Sequence, residues 1–167
     1  MAERVANHGY VTLLERGVDD WNSFRRRHSA YLILNRVSLA AAQLANADLH
    51  CVLLMESDLQ CANLSCATLE RAVLRKSNLR GSDLRFAVLD RADLCRADFS
   101  GADLRGASMD GAFLKRTDLS GADLSTTQGL TAVQLSDAFG DDQTKLPRGI
   151  IRPESWATTL HLSRALG

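Results

Sequence analysis

Residues 87–104 read AVLDRADLCRADFSGADL, and in that stretch every fifth residue is large and apolar: Leu89, Leu94, Phe99 and Leu104. Two positions before each sits a small one: Ala87, Ala92, Ala97 and Ala102. Followed outward in both directions, the large series runs from Leu39 to Leu124. It has eighteen positions, sixteen of them leucine and the other two Phe99 and Met109. The small series runs from Val37 to Ala122, with twelve alanines and nothing larger than valine. Two interlocked series of this length define an internal repeat, which decides the fold before any other feature is weighed.

A period of five suits neither regular element. On an α-helix five residues overshoot a full turn by about 140°, so the leucines would point in every direction. On a flat strand an odd period would alternate faces. The chain must therefore turn once per repeat, returning one large and one small residue to the interior each time. Short extended pieces joined by turns and wound into stacked coils do this, each coil pairing its backbone groups with its neighbours about 4.8 Å away. The second inward residue must be small because a narrow tube cannot hold two large side chains per repeat at normal packing density.

The strings ANADL (45–49), CRADF (95–99), SGADL (100–104) and SGADL (120–124) resemble the A(D/N)LXX signature of pentapeptide-repeat proteins. The resemblance spans about residues 35–126. It implies an all-β solenoid, a right-handed quadrilateral β-helix with four pentapeptides per coil, here 4.5 coils and a rod of roughly 22 Å. Residues twenty apart then stack in columns. Face one is centred on Leu39, Leu59, Leu79, Phe99 and Leu119, and face two on Leu44, Leu64, Leu84, Leu104 and Leu124. Face three is centred on Leu49, Leu69, Leu89 and Met109, and face four on Leu54, Leu74, Leu94 and Leu114.

Both flanks read as caps for the open ends of such a rod, where unpaired edges and core would face water. The expected division is an N-terminal helical cap (1–34), the solenoid (35–126) and a C-terminal helix and loop cap (127–167). The first cap holds a helix over 10–28, from the 3–4 spacing of Val11, Leu14, Val18, Trp21 and Phe24 or Arg25. Its segment ERGVDDWNSFR resembles a Trp-Asn-containing helix that precedes the repeats in some bacterial members. After Leu124 the register breaks at TTQGL. Thr131 with Gln134 forms a capping box that opens a short helix through about Phe139, and Pro147, Gly149 and Pro153 mark loops beyond it.

Composition narrows the function classes. The 167 residues carry 20 Lys plus Arg and 20 Asp plus Glu, so the formal net charge is zero. That lacks the overall basic footprint of a nucleic-acid binder, and no direct nucleic-acid contact is expected. No stretch approaches the ~18 apolar residues of a membrane span, nor does the start hold an apolar run of signal-peptide length. Cys51, Cys61, Cys66 and Cys95 fit no zinc or redox spacing and read as free thiols, which suggests the cytoplasm. His8, His28, His50 and His161 are scattered, and no nucleophile-elbow, phosphate-loop, dinucleotide or zinc-helix motif occurs. The Asp residues recur just before the central residue, where they suit turn contacts with the backbone rather than acid–base work. A convex rod also offers little of the concavity that active sites use. The expectation is a protein that catalyses nothing, takes no cofactor or metal, and acts through its faces.

Two surfaces stand out on those faces. Asp98, Asp103, Asp118 and Asp123 form an acidic strip on faces one and two. Family members that mimic B-DNA and bind type II topoisomerases such as DNA gyrase make such a strip one reading. Here it spans only two coils on a neutral protein, shorter and weaker than that role implies. Face four is the opposite, with Arg75, Lys76, Arg96, Lys115 and Arg116 against Glu56 and Asp93. Before its central leucines stand Leu53, Val73, Asp93 and Phe113, where the family favours Asp or Asn. The preferred interaction surface is therefore Leu53, Val73 and Phe113 with Arg96 and Arg116. Three occupants are open at this stage: an unidentified protein partner, a second copy in a homodimer, or the chain's own tail folding back with Trp156.

Overall fold

In the computed structural model, residues 2–157 are described; for 2–8 and 157 only the helical backbone is. The chain opens with α1 (Ala2–Arg16) and α2 (Val18–Arg25). The single helix expected over 10–28 is thus two helices. They part at Gly17, whose φ of 132° no L-residue adopts readily. The anticipated inward stripe holds across the break: Leu14, Trp21 and Arg25 are buried, while Val11, Val18 and Phe24 pack partly buried against the core.

The repeats wind as expected. The only paired strands among the described residues are β1 (Leu32–Ile33) and β2 (Val52–Leu53), two residues each and parallel. Turns every five residues leave no room for longer ones, so the rest of the ladder consists of single parallel bridges. Their register is twenty residues: Ser38 to Asp58 to Asn78 to Asp98 to Asp118 on one face, Gln43 to Asn63 to Asp83 to Asp103 to Asp123 on the next. Five residues per side and twenty per coil make the coil four-sided. Every central residue from Leu39 to Leu124 is buried, and the small series lies beside it.

The consensus follows from the hydrogen bonds of one repeat. At Leu59 the amide donates to Asn78 O in the next coil (2.7 Å), and the Cys61 amide to Arg80 O (2.9 Å). The Ala62 amide closes the turn onto Leu59 O (3.0 Å), and Asp58 N reaches back to Val37 O (2.9 Å). That leaves the amide just after the central residue, Gln60 N, and Asp58 Oδ1 accepts from it at 3.1 Å. The same contact recurs from Asp48 to His50, Asn63 to Ser65, Asp83 to Arg85, Asp103 to Arg105 and Asp123 to Ser125. In ten of the eighteen repeats an Asp or Asn before the central residue thus satisfies the one amide the ladder omits. The third residue of each turn is left-handed, from Arg36 (φ 58°) through Gly121 (φ 67°), as a type II turn requires. Thirteen of these corner residues are not glycine.

Where the small inward position is Ser or Thr, its hydroxyl finds a carbonyl inside the tube. Ser57 Oγ donates to Leu34 O (2.9 Å), Thr117 Oγ1 to Leu94 O (2.8 Å) and Thr127 Oγ1 to Leu104 O (2.9 Å). These buried polar groups are therefore satisfied, which is what makes them tolerable there.

Pairing runs past 35–126 at both ends. Leu32 and Leu34 already occupy the small and large inward positions. At the other end a further turn of chain stacks on the rod through Gln128, Phe139 and Lys145, paired with Ser108, Asp118 and Asp123. On face four that turn substitutes α3 (Ala132–Ser136) for a repeat. The capping box is present, with Thr131 Oγ1 accepting from Gln134 N. The helix ends at Ser136, short of Phe139, because Phe139 returns to the ladder. Gln134 Nε2 donates to Met109 O and Ala112 O, both at 3.0 Å. A short α4 (Glu154–Ala157) seats Trp156 over Gly140, with its indole Nε1 donating to Ala138 O (2.9 Å).

Candidate interaction surface on face four and its corner

Each repeat exposes three side chains: the one before the central residue, at mid-face, and the two after it, at the corner. On face four the mid-face column is Ile33, Leu53, Val73, Asp93 and Phe113. An Asp here would cap the following amide, and only Asp93 does so, accepting from Cys95 N at 3.1 Å. Ile33, Leu53 and Val73 are half-buried, whereas Phe113 is 60% exposed. The tail does not cover it among the described residues. Trp156 is buried at the end of the rod instead, against Ala138 and Gly140.

Beside this column the corner leading to face one forms a shallow groove of about 590 Å³, lined by Met55, Glu56, Arg75, Lys76, Cys95, Arg96, Lys115 and Arg116. The stacking of coils places these side chains in two adjacent ladders. At the start of the groove the charges are matched. Glu56 accepts from Arg36 Nε (2.9 Å) and Lys76 Nζ (3.3 Å), and Arg75 Nε meets Asp93 Oδ2 at 3.0 Å. Arg36, then Lys76, hold the Glu56 carboxyl below its ordinary range. Further along, Arg96, Lys115 and Arg116 are exposed and form no ion pair among the described residues. Burial, reinforced by the neighbouring Asp93, pushes the Cys95 thiol up.

The sequence-predicted residues thus divide. Arg96 and Arg116 line the groove, Phe113 stands exposed on the adjoining face, and Leu53 and Val73 contribute half-buried rungs of the same column. Met55 and Cys95 were not singled out from the sequence, and the cations were read as residues of face four without their place at its corner. Placing the two residues after each leucine at a shared corner would have revealed both.

The acidic strip is differently made. Asp98 Oδ1 accepts from the Ser100 amide (2.9 Å) and hydroxyl, and Arg80 NH1 reaches Oδ2 at 3.3 Å. Arg105 pairs with Asp103 (2.5 Å), Arg85 with Asp83 (2.7 Å) and Lys145 with Asp123 (3.0 Å). The Arg105 guanidinium holds Asp103 below the usual carboxylate range, as Arg85 does Asp83. Burial pushes Asp98 and Asp123 up, but the serine contacts and the nearby cations outweigh it and leave both lowered. Asp118 Oδ1 accepts from Ser120 N (2.9 Å). These carboxylates are structural acceptors of the turns, and cations meet most of them.

Among the described residues no group of three or more His, Cys, Asp or Glu side chains is placed to hold a metal ion. No described helix is long and apolar enough to cross a membrane. The four cysteines are free, with Cys51 buried and Cys61 and Cys66 exposed at corners. His161 lies outside the described residues.

A coil of four five-residue sides with an inward Leu and Ala in each is the architecture of a pentapeptide-repeat protein. The family model for pentapeptide repeats matches residues 38–75, 62–101 and 97–128, in eight copies, and the chain belongs to that family. Its members with solved structures share the right-handed quadrilateral β-helix. One is a pentapeptide repeat protein from the Arabidopsis thaliana thylakoid lumen, 27% identical with a TM-score of 0.60, over 64% of this chain and 77% of that one. Another, from the cyanobacterium Cyanothece 51142, is 23% identical with a TM-score of 0.42, over 75% and 97%. A third, the plasmid-mediated fluoroquinolone resistance protein QnrB1, is 14% identical with a TM-score of 0.29, over 83% and 90%. No curated protein matches the chain by sequence.

Proposed function

We propose that the protein is a non-catalytic binding or scaffold module that presents face four and its corner to a protein partner. The observation that carries this reading is the exposed Phe113 standing beside Arg96, Lys115 and Arg116, three cations with no carboxylate partner among the described residues. The mid-face column supports it. Val73 and Phe113 forgo the Asp or Asn contact that caps the following amide in ten of the repeats, a contact contributing about 1 kcal/mol. At Leu53 the Met55 amide is capped instead by Asn35 Oδ1 of the preceding coil (2.8 Å). A column that gives up a stabilising contact at two positions to carry apolar side chains fits a surface selected for something other than folding.

Phe113→Asp tests it. The variant should melt within about 0.5 kcal/mol of the parent, as exposed substitutions do, while losing capture of the native partner. Arg71→Glu, at an exposed corner after face three, should capture as well as the parent. If Phe113→Asp retained every captured partner, face four would have no binding role. The alternative reading, a DNA mimic acting on a type II topoisomerase, is supported less. The carboxylates it needs are largely met by Arg80, Arg85, Arg105 and Lys145.

A further inference from the structure

We propose that the occupant of the corner groove is a short, extended acidic segment of a partner protein carrying an apolar side chain that rests on Phe113; this rests on the binding role of face four. Three features of the groove specify the ligand. The unpaired cations occupy only two neighbouring coils, Arg96 in one and Lys115 with Arg116 in the next, about 4.8 Å along the rod. Along the same corner the cations of the preceding coil are already matched, Lys76 by Glu56 and Arg75 by Asp93. Above the unpaired ones the repeats end, the Arg116 amide donating to the backbone carbonyl of Asp137 at 2.6 Å after α3. An exposed aromatic ring lies on the adjoining face.

A nucleic-acid strand needs a long cationic track for its phosphates. Here the track ends after two coils, and the acidic side chains of faces one and two lie around the next corner. A second copy is disfavoured as well. A two-fold contact sets the same patch against itself, bringing Arg96, Lys115 and Arg116 against their own counterparts. Two or three carboxylates on an extended chain match the cations in number, and bidentate arginine contacts suit carboxylates. A neighbouring Leu or Phe then covers the Phe113 ring, giving the apolar centre and polar rim usual in interfaces.

The test uses the full-length protein and fluorescence anisotropy with three labelled probes. They are a twelve-residue peptide alternating glutamate with leucine and phenylalanine, its glutamine counterpart, and a single-stranded twelve-nucleotide oligonucleotide. The glutamate peptide should bind at least about tenfold more tightly than either other probe, and should weaken as salt rises from about 0.05 to 0.3 M. Arg96→Gly combined with Arg116→Gly removes both charges at corners whose φ of 61° and 60° glycine accepts without strain, so this variant keeps its fold. It should lose at least about tenfold in peptide affinity, and Phe113→Ser should lose several-fold. Arg71→Glu should lose nothing. Equal binding of the glutamine peptide, tighter binding of the oligonucleotide, no peptide binding, or full affinity in the double-glycine variant would each overturn the proposal. Should the peptide fail while Phe113→Asp still abolishes partner capture, face four keeps its binding role and only the acidic segment falls.

Discussion

The indole Nε1 of Trp21 donates to the backbone carbonyl of Asp48 at 2.8 Å. In the interior coils the equivalent carbonyl accepts from a backbone amide of the preceding coil, as Asp58 O does from Leu39 N. Face three has no coil before residue 47, and side chains of α2 stand in for it. Asn22 Oδ1 accepts from Asp48 N (2.8 Å), Asn22 Nδ2 donates to Asn46 O (3.0 Å), and Arg25 NH2 donates to His50 O (2.6 Å). Three side chains of one helix thus reproduce the hydrogen-bond pattern of a missing strand, closing an otherwise open edge.

Trp21→Phe keeps an aromatic ring in this buried site but deletes the donor. It should cost about 1–3 kcal/mol, the penalty for leaving a buried carbonyl unpaired. Trp21→Ala adds a cavity and should cost about 3–5 kcal/mol. Chemical denaturation of both variants measures the difference, and equal stability of Trp21→Phe and the parent would show that the Asp48 carbonyl is hydrated in the folded state.

The tube interior makes a paired prediction. Leu84→Ala should destabilise by about 2–5 kcal/mol through the cavity it leaves. Ala87→Leu should also destabilise, by about 1–3 kcal/mol, because the second inward position is fully buried and closely walled. An unchanged melting temperature for Ala87→Leu would contradict the narrow tube.

The corners predict stabilisation. Ala41 is exposed and held at φ 57°. A left-handed L-residue costs about 1–2 kcal/mol, and glycine returns about 0.4–1 kcal/mol of that as unfolded-chain entropy. Ala41→Gly should therefore raise stability by about 0.5–1 kcal/mol, read as a higher denaturation midpoint at unchanged slope.

Asp103 has two roles that pH separates. Its Oδ1 accepts the Arg105 amide, which Asn would also do, while its charge pairs with Arg105. Because the folded pKa is depressed, the charge contribution is fully present above the unfolded value near 3.9 and is lost as pH falls through the folded value. Asp103→Asn should cost less than about 1 kcal/mol at pH 7, since the pair is half-exposed to solvent. That difference should shrink as pH is lowered below about 4. A constant difference down to pH 2 would mean the loss is not electrostatic. The register itself supports the Asn exchange, because Asn63 and Asn78 fill the same position in their own repeats.

A gyrase supercoiling assay tests the acidic strip. Micromolar protein should leave supercoiling unaffected. Inhibition abolished by Asp103→Lys with Asp123→Lys would reverse that reading.

The interior of the rod was legible because a five-residue period forces the same two residues inward in every repeat. Leu39 to Leu124 with small residues at the second position called for a wound coil, while its four sides and its hand came with the family resemblance. The ends were less so, since there the period fails while the stacking continues. Leu32 and Leu34 fit the series but precede any recognisable consensus. Phe139 and Lys145 rejoin the ladder after one and two extra residues, a pairing no fixed period reveals. Gly17 splits the first helix where the apolar stripe alone runs on unbroken. On face four, the exposed Phe113 and the basic residues followed from register, but the groove needed the corner geometry. Which cations are already paired depended on side chains twenty residues apart, such as Glu56 with Arg36 and Lys76.

The shifted register of the last turn bears on how the molecule behaves in a crowd of its own kind. Stacked parallel coils are a template that another chain of equal period can extend, as fibrils do. Here the final rungs fall twenty-one residues after Asp118 and twenty-two after Asp123, and a helix fills the side above Leu114. A second rod offering the regular twenty-residue step finds no matching row of partners at that end. At the other end, side chains of α2 already occupy the groups of face three. The same irregularities that hid the termini from a periodic reading thus leave the described ends of the rod without the regular row of rungs that end-to-end stacking would extend.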